Sequence, residues 1–220
     1  LLRTDRKAPV DSEGCAMSIA KPSAGIWRIE IESDWNDERT ELSRRMAPAL
    51  DALYQKLFSS LGRPLRPEIV VEQCTKADAV SRYDWGDGID RKLIEQNGRI
   101  ITVQDKVLTW HENTVTFEEK KSSGTPGFWY YGTPQLYSVF YFRNGSTNCS
   151  NWIVLNLEKV REHEQRIPWK FNQNSRMRRS ATFRFAYFNE FPPECVVASK
   201  YAQYELWINP LFMEHRKIAT

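Results

Sequence analysis

Apolar residues recur with a helical period in the segment from Asp37 to Leu61. The positions i, i+3, i+4, i+7, i+8 and i+11 are occupied by Leu50, Leu53, Tyr54, Leu57, Phe58 and Leu61. This spacing places one apolar stripe along an amphipathic helix. Gly62 lies just past the stripe and Pro64 prevents continuation, so we predict that the helix ends near Leu61. Pro48 predicts either a first turn or a break between two helical pieces.

A β-hairpin is predicted downstream, with strands over residues 90–95 and 99–108. Gln96, Asn97 and Gly98 separate the two strands. An Asn-Gly pair favours a hairpin because both residues tolerate a positive φ. A third strand is predicted over 114–119, where Val115 and Phe117 alternate with polar neighbours.

The segment 128–142 is dense in aromatic residues, which predicts core positions. Its second half, 133–142, fits a helix or a strand. We favour a helix that opens at Thr133-Pro134, because proline is welcome at the first helical position. A buried strand over 151–157 and a short helix over 157–165 follow. Further short strands are predicted at 26–31, 69–72, 182–188, 195–198 and 204–208.

The order of these elements predicts an α+β fold with a mixed sheet flanked by helices, not an alternating βαβ chain. A length of 220 residues and an apolar fraction of 41% suit one domain, which we place at 25–220. Residues 1–24 are polar, rich in Pro and Ser and without periodicity, so we expect a disordered or poorly ordered segment.

Membrane and secretory classes are disfavoured by the sequence. The apolar runs are too short to span a bilayer, and the first residues have no long apolar stretch typical of a secretory signal. The four cysteines contain no Cys-x-x-Cys pair, which disfavours a local zinc site. We therefore expect a cytoplasmic protein with reduced thiols.

Candidate chemistry is concentrated in the hairpin. Asp90 begins its first strand, while Gln104 and Lys106 lie near the end of the second. Antiparallel pairing makes these places neighbours, and Gln104 and Lys106 project from the same strand face, with Asp105 projecting from the other. An acid and an amide oxygen suit Mg²⁺, and a lysine beside a metal can stabilise developing phosphate charge.

These residues resemble the PD-(D/E)XK nuclease superfamily. Gly88-Ile89-Asp90 followed by Gln104-Asp105-Lys106 is similar to the variant in Mrr-like restriction endonucleases, in which Gln replaces the second acid. The resemblance implies a restriction-endonuclease-like αβββαβ core over about 45–160 and a C-terminal β-rich extension over about 161–220. It implies a metal-dependent DNA endonuclease, with Asp90 and Gln104 as ligands of Mg²⁺ or Mn²⁺ and Lys106 as the catalytic lysine.

Two alternatives remain open. A second register reads Asp105 as the first acid and Glu118-x-Lys120 as the second motif. With Asp90 as the one clear acid of the first register, a catalytically inactive nuclease fold that binds nucleic acid or protein is the alternative function. Glu41, Asp51, Glu72 and Asp87 are the further acids that would supply negative charge.

The segment from Arg161 to Arg184 is basic and contains Trp169 and Phe171. Basic side chains with interleaved aromatic rings suit contacts with phosphates and bases. We therefore expect DNA as the partner, and the sequence also allows a homodimer. The candidate nucleic-acid-binding residues are Lys170, Arg176, Arg178 and Arg179. The net charge of +3 is only mildly basic and adds little to this expectation.

Overall fold

A computed structural model of the chain describes ten stretches of the sequence: residues 17–20, 28–31, 37–66, 71–73, 89–109, 113–121, 124–143, 146–173, 181–201 and 206–213. The three described α-helices are α1 (Asp37–Ser60), α2 (Phe128–Tyr131) and α3 (Leu157–Glu162). No helix in these stretches has both the length and the apolar character that crossing a membrane requires.

The described strands form three separate sheets. Their bounds are β1 (Met17–Ala20), β2 (Arg28–Ile31), β3 (Val71–Gln73), β4 (Arg91–Ile94), β5 (Ile100–Leu108), β6 (Thr114–Lys120), β7 (Leu136–Phe142), β8 (Cys149–Asn156), β9 (Lys170–Gln173), β10 (Thr182–Tyr187), β11 (Val196–Lys200) and β12 (Trp207–Ile208). Strands β1 and β2 pair with each other, and β1 lies inside the segment for which the sequence predicted no element.

The main sheet has seven strands in the order β12-β11-β8-β7-β5-β4-β3. Strands β5 and β7 run parallel, and the other neighbours are antiparallel, so the sheet is mixed. A smaller antiparallel sheet has the order β6-β10-β9. The prediction of an α+β fold with a mixed sheet is confirmed.

The predicted hairpin is confirmed as β4 and β5. Arg91 pairs with Val103 and Ile94 with Ile100 in antiparallel register. Gly98 has a φ of 88°, a left-handed conformation that glycine adopts without steric strain. The turn therefore follows directly from the Asn-Gly signal in the sequence.

Helix α1 covers one face of the main sheet. Its apolar stripe, Met46, Leu50, Tyr54, Leu57, Phe58 and Leu61, is buried. These side chains pack on inward residues of β4, β5, β7 and β8 and form the first core. Full burial of a large apolar side chain contributes about 1.5–3 kcal/mol. Pro48 lies inside this single helix, so the prediction of a first turn or a break is wrong.

The other face of the main sheet carries a second core. It contains Val115 and Phe117 from the small sheet, Phe128 and Trp129 from α2, and Leu157 and Val160 from α3. The sheet therefore has one long helix on one face, and a smaller sheet with two short helices on the other. The prediction of a sheet simply flanked by helices is corrected to that extent.

Two further predictions are wrong in ways that alter the topology. Residues 136–142 form strand β7 and not a helix, and all seven residues are buried. Strand β6 does not continue the hairpin sheet but pairs with β10. Residues 114–119 and 133–142 therefore do not have the places expected for them in an αβββαβ core, and the observed chain order is α1, β3, β4, β5, β6, α2, β7. The C-terminal strands complete both sheets and do not form a separate extension.

Candidate functional site at the start of strand β4

Asp90 lies immediately before β4 and is held by the β5 backbone. Its N–H donates a hydrogen bond of 2.9 Å to the carbonyl of Val103. Its carboxylate accepts a hydrogen bond of 2.8 Å from the N–H of Asp105 and a short contact from Nε2 of Gln104. The half-buried carboxylate therefore lies at the strand edge where β4 begins.

Gln104 presents its amide to Asp90 from the face of β5 that contains the second core. The side chain is buried, and its neighbour in the parallel register is Tyr137. Nε2 of Gln104 also lies 3.4 Å from the carbonyl oxygen of Asp105. Asp90, Gln104 and the peptide of Asp105 therefore place three oxygen-bearing groups next to one another.

Lys106 follows Gln104 by two residues, so both side chains leave the strand on the same face. The Lys106 side chain is exposed, whereas Gln104 is buried. The structure therefore brings Asp90 and Gln104 into contact, as the sequence predicted, and places Lys106 at the solvent-exposed side of the same strand face.

Asp105 points to the opposite face, toward α1, as strand alternation predicted. Its carboxylate forms an ion pair with Arg91 and accepts a hydrogen bond of 2.6 Å from the hydroxyl of Tyr54. That hydroxyl also lies 2.8 Å from Oγ of Ser138. Arg91 forms a second ion pair, 3.0 Å long, with Asp51. A buried polar network therefore joins α1 to strands β4, β5 and β7.

Burial sets the protonation of this network. Desolvation raises the pKa of the Asp105 carboxyl, and the Arg91 charge opposes this. Burial is the strongest single influence on Arg91 and opposes its charge, but Asp105, Tyr54 and Asp51 together outweigh it and raise the Arg91 pKa. Burial likewise raises the pKa of Asp51 and of Tyr54. Arg91 remains charged and holds the Asp105 side chain in place.

The same residue therefore has different contacts on its two sides. The Asp105 side chain is anchored to α1, while its N–H donates to Asp90. Anchoring the side chain fixes the peptide that orients the Asp90 carboxylate. The sequence placed Asp105 on the strand face opposite Gln104 and Lys106, or made it the first acid of the alternative register. It did not predict this positioning contact.

The rival register, Asp105 with Glu118 and Lys120, is not assembled. Asp105 faces α1, whereas Glu118 belongs to β6 on the opposite side of the main sheet. There, burial raises the pKa of Tyr137, and Asp90, Tyr141 and Glu118 add to this in decreasing order. Lys120 lies at the end of β6 and is exposed. The main sheet separates the two carboxylates.

The donor set fits a hard divalent cation with few protein ligands. Among the described residues no group of three or more His, Cys, Asp or Glu side chains is close enough to hold a metal ion. Mg²⁺ needs only one or two carboxylates when phosphate and water complete its shell. Asp90, the carbonyl of Asp105 and the amide oxygen of Gln104 satisfy that requirement once the Gln104 amide turns its oxygen inward.

The further acids do not enlarge this set. Asp51 lies on the α1 side and pairs with Arg91. Asp87 is outside the described residues, and the side chains of Glu41 and Glu72 are outside the described set as well.

The predicted nucleic-acid-binding residues fall into two groups. Lys170 lies on β9, where its Nζ is 2.6 Å from a carboxylate oxygen of Glu190 and 4.4 Å from the ring centroid of Tyr187. Arg176, Arg178 and Arg179 lie outside the described residues. Trp169 packs against the second core, while Phe171 is 62% exposed.

A cavity of about 650 Å³ lies near the end of α1, away from Asp90. Three guanidinium groups line it, but Arg63 is paired with Glu95, and Arg161 donates to the carbonyls of Trp129 and Gly132. The charges of Arg63 and Arg161 are therefore already engaged in contacts within the fold.

No protein-family model, curated protein or solved structure matches this chain. The resemblance to PD-(D/E)XK nucleases therefore rests on the motif residues and on their arrangement.

Proposed function

We propose that this chain is a metal-dependent endonuclease that hydrolyses phosphodiester bonds in DNA, with Asp90, Gln104 and Lys106 as its catalytic residues. The observation that carries the proposal is the contact of the Asp90 carboxylate with Gln104 and with the Asp105 peptide, beside an exposed Lys106. One acid, one amide and one lysine at a strand edge suit a site for a phosphodiester.

The chemistry assigns a role to each group. A bound Mg²⁺ or Mn²⁺ would polarise the scissile phosphate and lower the pKa of an attacking water. Asp90, Gln104 Oε1 and the Asp105 carbonyl would hold that ion. The Lys106 ammonium would donate to a phosphate oxygen and stabilise the negative charge that develops there. Asp105 would keep its own peptide, and through it Asp90, in position.

The proposal extends to the fold and the setting. The α1 helix packed on an antiparallel pair that carries Asp90 and Gln104-x-Lys106 supports a restriction-endonuclease-like core, although β6 leaves the main sheet for the small one. The separated cysteines support a cytoplasmic location. A homodimer belongs to the same proposal.

Cleavage assays with matched variants test this function. Supercoiled plasmid and single-stranded oligonucleotides are incubated with Mg²⁺, with Mn²⁺ and with EDTA. We expect Asp90→Ala and Lys106→Ala each to lower the cleavage rate at least about a hundredfold, because each removes charge stabilisation at the reacting phosphate. Lys120→Ala is the matched control, because Lys120 is an exposed strand lysine outside the site.

Circular dichroism and thermal melts establish that each variant is folded. Undiminished, metal-dependent cleavage by both Asp90→Ala and Lys106→Ala would contradict the assignment. Loss of cleavage in Lys120→Ala instead would favour the rival register.

A second candidate function is DNA binding without cleavage. It is favoured by the lack, among the described residues, of a group of three or more His, Cys, Asp or Glu side chains that could hold a metal ion. If this function is correct, the unmodified protein and Asp90→Ala both bind DNA, and neither forms a cleavage product with Mg²⁺ or Mn²⁺.

A further inference from the structure

Strand β10 has an inverted pattern of inward and outward side chains. A strand with one buried face normally turns apolar residues inward and polar residues outward. In β10 the inward residues are Arg184 and Ala186, which are buried. The alternate positions carry Phe183, Phe185 and Tyr187, which are half-buried or exposed.

The inward arginine is accommodated by a dedicated environment. Arg184 forms ion pairs with Glu119 and Glu164, and its guanidinium lies 4.2 Å from the ring centroid of Trp129. The inward position of Arg184 on β10 is therefore matched by specific partners. On β10 the inward face carries a paired charge, while the three aromatic side chains of this strand lie on the other face.

The three outward rings belong to neither core. Phe183, Phe185 and Tyr187 are absent from both clusters of buried apolar residues, although Val115, Phe117 and Ala186 of the same sheet are included. The ring centroids of Phe185 and Tyr187 are 6.5 Å apart. Tyr187 is 42% exposed, and Phe183 and Phe185 are partly exposed, so the row presents aromatic surface outside both cores. Apolar surface left outside the core can serve as an interaction site.

The flanks of the row are polar. On one side, the register places Glu118 of β6 beside Phe183 and Thr116 beside Phe185. On the other side, Asn172 lies beside Phe183 and Lys170 beside Phe185. Lys170 lies over the ring of Tyr187 and pairs with Glu190. Aromatic rings on an open sheet, with hydrogen-bonding groups and a cation at the edge, form the kind of platform on which unpaired bases stack.

A hydrogen bond also links the small sheet to the main sheet. The Tyr137 hydroxyl donates a hydrogen bond of 2.7 Å to the carbonyl of Thr116, on the edge strand of the small sheet. Tyr137 is the register neighbour of Gln104. The small sheet that carries the row is therefore attached to the face of the main sheet on which Gln104 lies.

We propose that the outer face of β10, with its row Phe183, Phe185 and Tyr187, binds single-stranded DNA by base stacking. The choice of DNA rests on the proposed function; the stacking of unpaired bases rests on the exposed rings. Lys170 exchanges its partner Glu190 for a phosphate of the bound strand. Duplex DNA is a poor ligand for this face because its bases are already stacked and paired.

Fluorescence anisotropy with labelled oligothymidine, in EDTA to prevent cleavage, measures this binding. We expect Phe183→Leu, Phe185→Leu and Tyr187→Leu each to weaken binding roughly five- to 150-fold, since each removes one stacking ring. Leucine keeps the position apolar. Tyr130→Leu is the matched control, because Tyr130 is 63% exposed on α2 and lies outside the row.

A second measurement does not depend on variants. Ultraviolet cross-linking of the unmodified protein to bromodeoxyuridine-containing oligonucleotide, followed by mass spectrometry, should label the peptide that contains residues 182–187. Unchanged affinity in all three leucine variants, labelling elsewhere, or equal affinity for the matching duplex would overturn the proposal. So would a dimer, seen by light scattering, that the same substitutions dissociate without any change in DNA affinity.

The two proposals fail separately. Row variants that bind normally, together with cleavage that needs Asp90, would refute the stacking surface alone. Row-dependent binding without cleavage would refute the endonuclease and leave the stacking surface in place.

Discussion

At the scale of single residues, Asp105 shows how one strand position serves two sides of a sheet. Alternation along β5 predicted that Asp105 faces away from Gln104 and Lys106, and the structure confirms it. The buried partners of Asp105 were not predictable in the same way. Tyr54 and Ser138 come from distant elements, and Tyr54 reads in the sequence as one more member of an apolar stripe.

Replacing Tyr54 with phenylalanine tests this network. The change removes the donor to the Asp105 carboxylate, and a hydrogen bond to a charged group contributes about 1.5–3 kcal/mol. We expect a loss of about 2 kcal/mol in the free energy of unfolding at pH 7, measured by urea denaturation. Tyr130→Phe, at an exposed position, is the control and should change stability little.

The effect should shrink in acid. Because burial raises the folded-state pKa of Asp105 above 3.8, the contribution of this group is fully present below that value and is lost as pH rises through the folded pKa. The Tyr54 hydrogen bond lowers the folded-state pKa of Asp105, so its removal raises that pKa further. The stability that Asp105 contributes is then lost over a range that extends to higher pH. A destabilisation that is equal at pH 4 and pH 7 would contradict this account.

At the scale of elements, a prediction succeeded where a local sequence signal determines the structure and failed where burial determines it. The hairpin was predictable because Asn97-Gly98 fixes its turn locally. Strand β7 was not, because all seven of its residues are buried and no alternation remains to distinguish strand from helix. The favourable Pro134 signal misled the prediction, since the proline precedes a strand.

Helix α1 tolerates Pro48 at a position where proline has no N–H to donate. An interior proline disfavours a helix by about 3 kcal/mol, offset in part by the stiffness it gives the unfolded chain. Pro48 is exposed, so its side chain adds little packing. We expect Pro48→Ala to raise the free energy of unfolding by about 2 kcal/mol in urea denaturation, and a destabilised variant would show that the proline has a packing role.

At the scale of the whole molecule, the small sheet is held together, and attached to the turn after α3, by side chains that the sequence could not pair. Arg184 was predicted to lie in a strand, but its partners Glu119 and Glu164 come from β6 and from the turn after α3. Charges paired at such a separation leave no periodic signal. The one indication in the sequence is the segment Thr-Phe-Arg-Phe-Ala-Tyr, in which aromatic residues alternate with Arg184 and Ala186.

Substitution of Arg184 by methionine should weaken this junction. It leaves the mostly buried Glu119 without its cation, and breaking a buried pair by removing one partner costs about 3 kcal/mol. We expect a corresponding fall in the free energy of unfolding in urea, and partial recovery when Glu119→Gln is added. The absence of any recovery would indicate that lost packing on Trp129, and not unpaired charge, explains the change.

The pairing of β6 with β10 has a consequence for how the chain is synthesised. Strand β6 leaves the ribosome well before β10, with β7, β8 and β9 made in between. Until β10 emerges, the aromatic face of β7 and the inner side of β6 lack the strand that holds the small sheet together. A nascent chain at that stage would expose an apolar surface that is prone to aggregation. Chaperones or rapid translation would then be needed to keep the chain from aggregating.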